Sequence, residues 1–154
     1  MIDTAKAGTL IRLAREDAGM SQRALAQASG VQQSNIAAAE SGRRSVSNEM
    51  LDRLLDAADY RPSVPLALKR EEIRRIGDQL GVRGIRVFGS VSRGADHRGS
   101  DIDLLVDLDA TAAGFELGAF VAAVRDLTGF DADVIVDRGD RPEMAHIRAT
   151  AVPL

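Results

Sequence analysis

Five residues in the second half of the chain could together do phosphate chemistry: Gly89, Ser90, Asp101, Asp103 and Asp133. Asp101-Ile102-Asp103 runs straight into Leu104-Leu105-Val106, an apolar run that reads as a strand. Residues two apart in a strand share a face, so the two carboxylates point to one side while Ile102 turns to the core. Neighbouring carboxylates repel each other, and a divalent cation offsets that repulsion. The chain has no cysteine, and His97 and His146 lack partners at ligand spacing. Ligation is then by oxygen alone, which favours Mg2+, with Mn2+ possible, bound through carboxylates and nucleotide phosphates. Asp131-Ala132-Asp133 opens another apolar run, Val134-Ile135-Val136; Asp131 falls in the turn, which leaves Asp133 as the third acid.

Ile85-Arg86-Val87-Phe88 ends in Gly89-Ser90, a strand entering a tight turn with a helix starting at the turn. Backbone N–H groups there, beside a hydroxyl and a residue without a side chain, suit phosphate oxygens. Ten residues separate Ser90 from Asp101, and Arg93 and Arg98 in that stretch are further candidates for phosphate contact. Asp107 and Asp109 read as surface acids at a strand end.

These groups need a frame. Leu66, Ile73, Ile76 and Leu80 recur at helical spacing before Gly81, a second helix is predicted from about Ala113 to Leu127, and a terminal one over Pro142 to Ala151. Upstream, Tyr60-Arg61-Pro62-Ser63-Val64-Pro65 carries two prolines close together and reads as a short stiff linker. The domains expected are therefore 1–62 and 63–154.

The first half is a run of short helices. Ala7, Leu10, Ile11, Ala14 and Ala18 form one apolar face, Ser21 can cap a second helix that Ser29-Gly30 ends, and Gln32-Gln33-Ser34-Asn35 opens a third. Ser47 can start a fourth, with Leu51, Leu54, Leu55 and Ala58 as its stripe. That is helix-turn-helix spacing. The third helix is Ala-rich after Ile36, so its polar side chains are concentrated in its first turn. A glutamine amide donates and accepts at once and so matches adenine, while arginines hold phosphates.

The string SQRALAQASGVQQSNIAAAESGRRSVS resembles the lambda-repressor-like helix-turn-helix over residues 7–60. The resemblance implies that Gln22 braces Gln33 at the start of the recognition helix. Gln33, Ser34 and Asn35 would face bases, and Arg23, Arg43 and Arg44 would hold the phosphates of operator DNA. The string FGSVSRGADHRGSDIDLLVDL resembles the DNA polymerase beta-type nucleotidyltransferases, most closely their minimal, antitoxin-associated branch, over residues 66–154. Gly-Ser, ten residues, Asp-x-Asp is met in full, and Arg93, Gly94 and Ser100 also fit.

The two resemblances imply an all-α helix-turn-helix bundle followed by an α+β fold with a small mixed sheet flanked by helices. They also imply two Mg2+ ions held by Asp101, Asp103 and Asp133, with ATP phosphates on Gly89, Ser90 and Arg93. The implied role is that of an antitoxin that represses its own operon and silences a HEPN-type ribonuclease toxin by moving AMP from ATP to a toxin tyrosine. A regulator with an inactive transferase fold, acting by complex formation, and a small-molecule nucleotidyltransferase are the alternatives.

Composition bounds the rest. Of the 154 residues 45% are hydrophobic, enough for two small cores, and domains this size lean on partner surfaces, so a homodimer or a hetero-oligomer with the toxin is expected. The net charge of −3 argues against coating nucleic acid indiscriminately, but residues 1–63 balance eight basic against eight acidic side chains, and a local basic patch suffices for a specific reader. With no cysteine, no basic-then-apolar leader and no run of the roughly 18 apolar residues that a span needs, a cytoplasmic protein without a membrane partner is expected.

Overall fold

The computed structural model describes residues 4–110, 112, 114–139 and 141–154. The chain divides into two compact units, Met1–Tyr60 and Arg61–Leu154.

The first unit is helical: α1 (Thr4–Asp17), α2 (Gln22–Ser29), α3 (Gln33–Glu40) and α4 (Asn48–Ala57). Each is too short to persist alone, and the stability comes from apolar faces that meet. Ile11, Leu25, Ile36, Leu54 and Leu55 are all fully or almost fully buried. Ser21 and Ser47 cap α2 and α4 by accepting from the amides of Ala24 and Met50, so the cap signals in the sequence act as expected. α1 lies so close to the end of α3 that a side chain on Gly8 would collide with the Ala39 carbonyl.

The second unit opens with α5 (Ser63–Gln79). The expected linker is therefore helix from Ser63 onward, and Val64, Pro65 and Leu66 are buried. The physical reason is positional: Pro65 falls in the first turn, where no amide has an intrahelical acceptor, so its missing N–H costs nothing. There follow β1 (Val82–Phe88), α6 (Gly89–Ser92), β2 (Ile102–Leu108), α7 (Gly114–Thr128), β3 (Ala132–Val136), a 3-10 turn (Pro142–Met144), α8 (Ala145–Thr150) and β4 (Val152–Pro153). Ala113, the expected start of α7, lies outside the described residues.

The sheet order is β3-β2-β1-β4, with β2 parallel to β3 and antiparallel to β1, and β4 antiparallel to β1. It is the expected mixed sheet, with α5 and α7 packed on each other and against its strands. Ile102, Leu104 and Val106, alternate residues of β2, are all 0% exposed; their burial sets the register that sends Asp103 to the other face. β3 is held at both ends, where the Ile102 amide donates to the Asp131 carbonyl at 2.9 Å and the Asp137 amide to the Val106 carbonyl at 2.7 Å. Thr128 makes the turn into β3: its hydroxyl donates to the Val124 carbonyl and accepts from the Phe130 amide.

Candidate functional site

In the second unit, the parallel pairing sets Asp103 of β2 directly opposite Asp133 of β3, and the antiparallel pairing sets it opposite Phe88, the residue before Gly89. Three backbone segments thus bring the two acids and the Gly89-Ser90 turn to one end of the sheet. Gly89 has φ 71°, and a side chain there would run into the Asp103 carboxylate, with its Cβ 2.9 Å from Cγ. Glycine is the residue that takes this conformation at little cost and leaves that room.

The electrostatics show which acids feel each other. Burial raises the Asp103 carboxyl above its ordinary range, and the charges of Asp133 and Asp101 push it further, while Arg93 acts in the opposite sense. Asp101, Asp103, Asp133 and Arg93 therefore share one neighbourhood. Asp131 is engaged elsewhere, in a 2.6 Å pair with Arg125. Among the described residues no three His, Cys, Asp or Glu side chains already converge as a ligand set. In kind and charge, though, repelling carboxylates that supply only oxygen fit a hard divalent cation.

The loop between Ser90 and Asp101 is tied down by a residue to which the sequence reading gave no role. The Asp96 side chain, 1% exposed, accepts from the Ser63 amide at 2.8 Å and stands 3.9 Å from Arg61. It thereby caps the start of α5. His97 is exposed and hydrogen-bonds within its own loop, its Nδ1 accepting from the Gly99 amide. Asp107 and Asp109, expected as plain surface acids, bind Arg86 and Arg83. Asp137 ties Arg86 to Arg148 of α8, and the Arg148 hydrogen bond, followed by the Gly139 amide, holds its carboxyl below the usual range.

The first unit carries its own polar array. Gln33 donates through Nε2 to Gln22 Oε1 at 3.1 Å, and Gln22 donates through Nε2 to Glu40 Oε2 at 2.9 Å. Arg15 grips both oxygens of Glu40, at 2.7 and 3.0 Å, and Arg12 donates to the Glu40 carbonyl. Burial would raise the Glu40 carboxyl, but the hydrogen bonds from Arg15 and Gln22 and the charges of Arg15 and Arg12 outweigh it and hold it below its ordinary range. Glu40 and Arg15 were missed in the sequence, where the available signal was an acid four residues beyond Ile36, on the buried side of α3. Arg44 donates to Asn35 Oδ1 at 2.7 Å and Arg43 to Ser41 Oγ at 2.9 Å, while Arg23 and Ser34 are exposed.

A helix-turn-helix bundle, a DNA-binding module, followed by a mixed sheet with acids at the ends of paired strands beside a Gly-Ser turn defines a two-module protein of nucleotidyltransferase type. The chain belongs to the nucleotidyltransferase domain family, which matches residues 69–150, and the helix-turn-helix domain family matches residues 7–64. It is similar to a solved structure whose own description proposes a minimal nucleotidyltransferase, with 30% identity and a TM-score of 0.55 over 60% of this chain and 95% of that one. No curated protein matches. Among the described residues no helix is long and apolar enough to cross a membrane.

Proposed function

We propose that the chain is a cytoplasmic antitoxin that transfers AMP from ATP to a tyrosine of a HEPN-type ribonuclease toxin and represses its own operon through the first unit. The observation that carries this reading is Asp103 paired directly opposite Asp133 beside the Gly89-Ser90 turn, with the charge of Asp101 felt at Asp103, in a chain of the nucleotidyltransferase family.

Asp101, Asp103 and Asp133 would hold two Mg2+ ions, which when bound neutralise triphosphate oxygens and the charge that develops in in-line displacement. The Gly89 amide and Ser90 hydroxyl donate to the β- and γ-phosphates, and Arg93 adds a positive charge on the same side. Asp133 receives the proton of the attacking tyrosine hydroxyl. The phenolic oxygen bonds to the α-phosphorus as the bond to pyrophosphate breaks. β3 is an edge strand and Asp133 is exposed, which suits an acceptor as large as a protein. In the first unit, Gln33, Ser34 and Asn35 face bases, braced by Gln22, while Arg23 and Arg43 hold phosphates. A dimer would place two such helices on paired half-sites.

The test is incubation of the native chain, labelled ATP and Mg2+ with the co-encoded neighbour, followed by mass spectrometry. Adenylyl mass on a neighbour tyrosine, absent with Asp101→Ala/Asp103→Ala, is the expected result. A tight complex without transfer would overturn the catalytic reading and assign silencing to binding alone.

A further inference from the structure

We propose that Arg44 and Asn35 act as one specificity pair that reads guanine in the operator, Arg44 setting the polarity of the Asn35 amide. The proposal rests on the reading of α3 as the helix that enters the major groove.

Asn35 lies in the first turn of α3 and is half-buried, while Arg44 is exposed in the loop that follows the helix. Their contact is 2.7 Å, from the Arg44 guanidinium to Asn35 Oδ1. A guanidinium offers donors only, so the atom of Asn35 that meets it has to be the oxygen. The bond is charge-assisted and correspondingly strong. It leaves the Nδ2 hydrogens of Asn35 and the remaining N–H groups of Arg44 as what the pair offers DNA. The second lone pair of Oδ1 stays beside a cation whose N–H groups oppose any donor that approaches it.

Gln33, two residues earlier, is set differently. Its Nε2 donates to Gln22, which in turn donates to the Glu40 carboxylate, a group that only accepts. Gln33 therefore keeps its own Oε1 and a second Nε2 hydrogen, an acceptor beside a donor. One helix turn thus presents two polarities.

Base edges in the major groove discriminate between them. Guanine shows two acceptors, N7 and O6, and thymine a single acceptor, O4, beside its methyl group, whereas adenine pairs its N7 acceptor with an N6 donor and cytosine shows a donor; only guanine takes two donors at once. A donor-only pair satisfies guanine fully and leaves the adenine or cytosine amino group without a partner, the costly case when a polar group is desolvated. Arg44, expected from the sequence to hold a phosphate, instead acts on base choice.

The experiment is selection from random duplex DNA with the full chain, followed by sequencing of the bound fraction. The base read by Asn35 is the position whose preference disappears in Asn35→Ala. The native chain should favour guanine over adenine there by about tenfold. Arg44→Met, which frees Oδ1, should move that position toward adenine, and Arg44→Lys, which still donates to Oδ1, should keep guanine. Adenine preferred by the native chain would overturn the proposal, as would an Arg44→Met variant that binds every sequence more weakly with its preferences unchanged, the mark of a phosphate contact. If the native chain enriches no sequence at all, the DNA reading falls and the proposal falls with it.

Discussion

The carboxylate of Asp103 occupies the space that a side chain on Gly89 would fill. The turn and the acid constrain each other: Gly89 must be bare for Asp103 to stand there, and its φ of 71° would strain any other residue. Gly89→Ala should destabilise the fold by about 1–3 kcal/mol and, by displacing the carboxylate, weaken Mg-ATP binding by more than about tenfold. Thermal unfolding and nucleotide titration check both; unchanged affinity would separate Asp103 from the nucleotide site.

Asp103 carries a stability cost that follows from its raised carboxyl. The folded chain holds this proton more tightly than the unfolded chain does, so stability falls as pH rises through the folded pKa, and the cost is fully present above it. Asp103→Asn should therefore raise the Tm in chelator at pH 7 while abolishing transfer. That advantage should shrink as the pH is lowered through the raised pKa. Mg2+ should raise the Tm of the native chain and leave that of the variant nearly unmoved. A variant less stable than the native chain at every pH would contradict this account.

The apolar strand β2 and the helix caps were legible because they depend on local rules, whereas the mixed sheet was implied by the family resemblance. The apolar run Leu104-Leu105-Val106 marks a buried strand, and Ser21 and Ser47 precede their helices in the expected way. What stayed hidden depends on pairing between distant residues. β4 is two residues long and pairs with β1 about 65 positions earlier, and Pro65 reads as a breaker until its place in the first turn of α5 is known. The closeness of Asp133 to Asp103 is a matter of strand order, which spacing alone does not fix. The partners of Asp96 and Glu40 lie 33 and 25 residues away, so neither role was visible locally.

Asp96 joins the loop that carries Ser90 and Asp101 to the first turn of α5. Asp96→Ala removes a cap with a buried side chain and should cost about 1–2 kcal/mol. It should also loosen the loop, so that KM for ATP rises several-fold while Asp96→Asn, which can still accept from the Ser63 amide, stays near native. Loss of stability without any change in KM would mark Asp96 as a helix cap alone.

Glu40 is bonded by both Arg15 and Gln22, and its lowered carboxyl gives stability a definite pH window. Its contribution is present above the unfolded pKa of roughly 4.3 and is lost as the pH falls through the lower folded value. Glu40→Gln should cost about 3 kcal/mol at pH 7 and progressively less as the solution is acidified toward the folded pKa. Paired urea titrations at neutral and acid pH measure this; a penalty that does not change with pH would mean that packing, and not charge, sets it.

Gln22 provides the sharpest test of the first unit, because it can affect base choice without touching a base. Its oxygen accepts from Gln33 and its nitrogen donates to Glu40, so the acceptor-only carboxylate orients both amides in turn. Gln22→Ala leaves every groove-facing side chain in place but frees Gln33 to rotate or flip. Discrimination at the Gln33 base should fall by about tenfold, approaching the loss in Gln33→Ala, while affinity for unrelated DNA and its salt dependence stay unchanged. The two variants combined should be little worse than either alone, since a residue that acts through another adds nothing once that other is gone. Additive losses in the double variant would show that Gln22 meets the DNA itself.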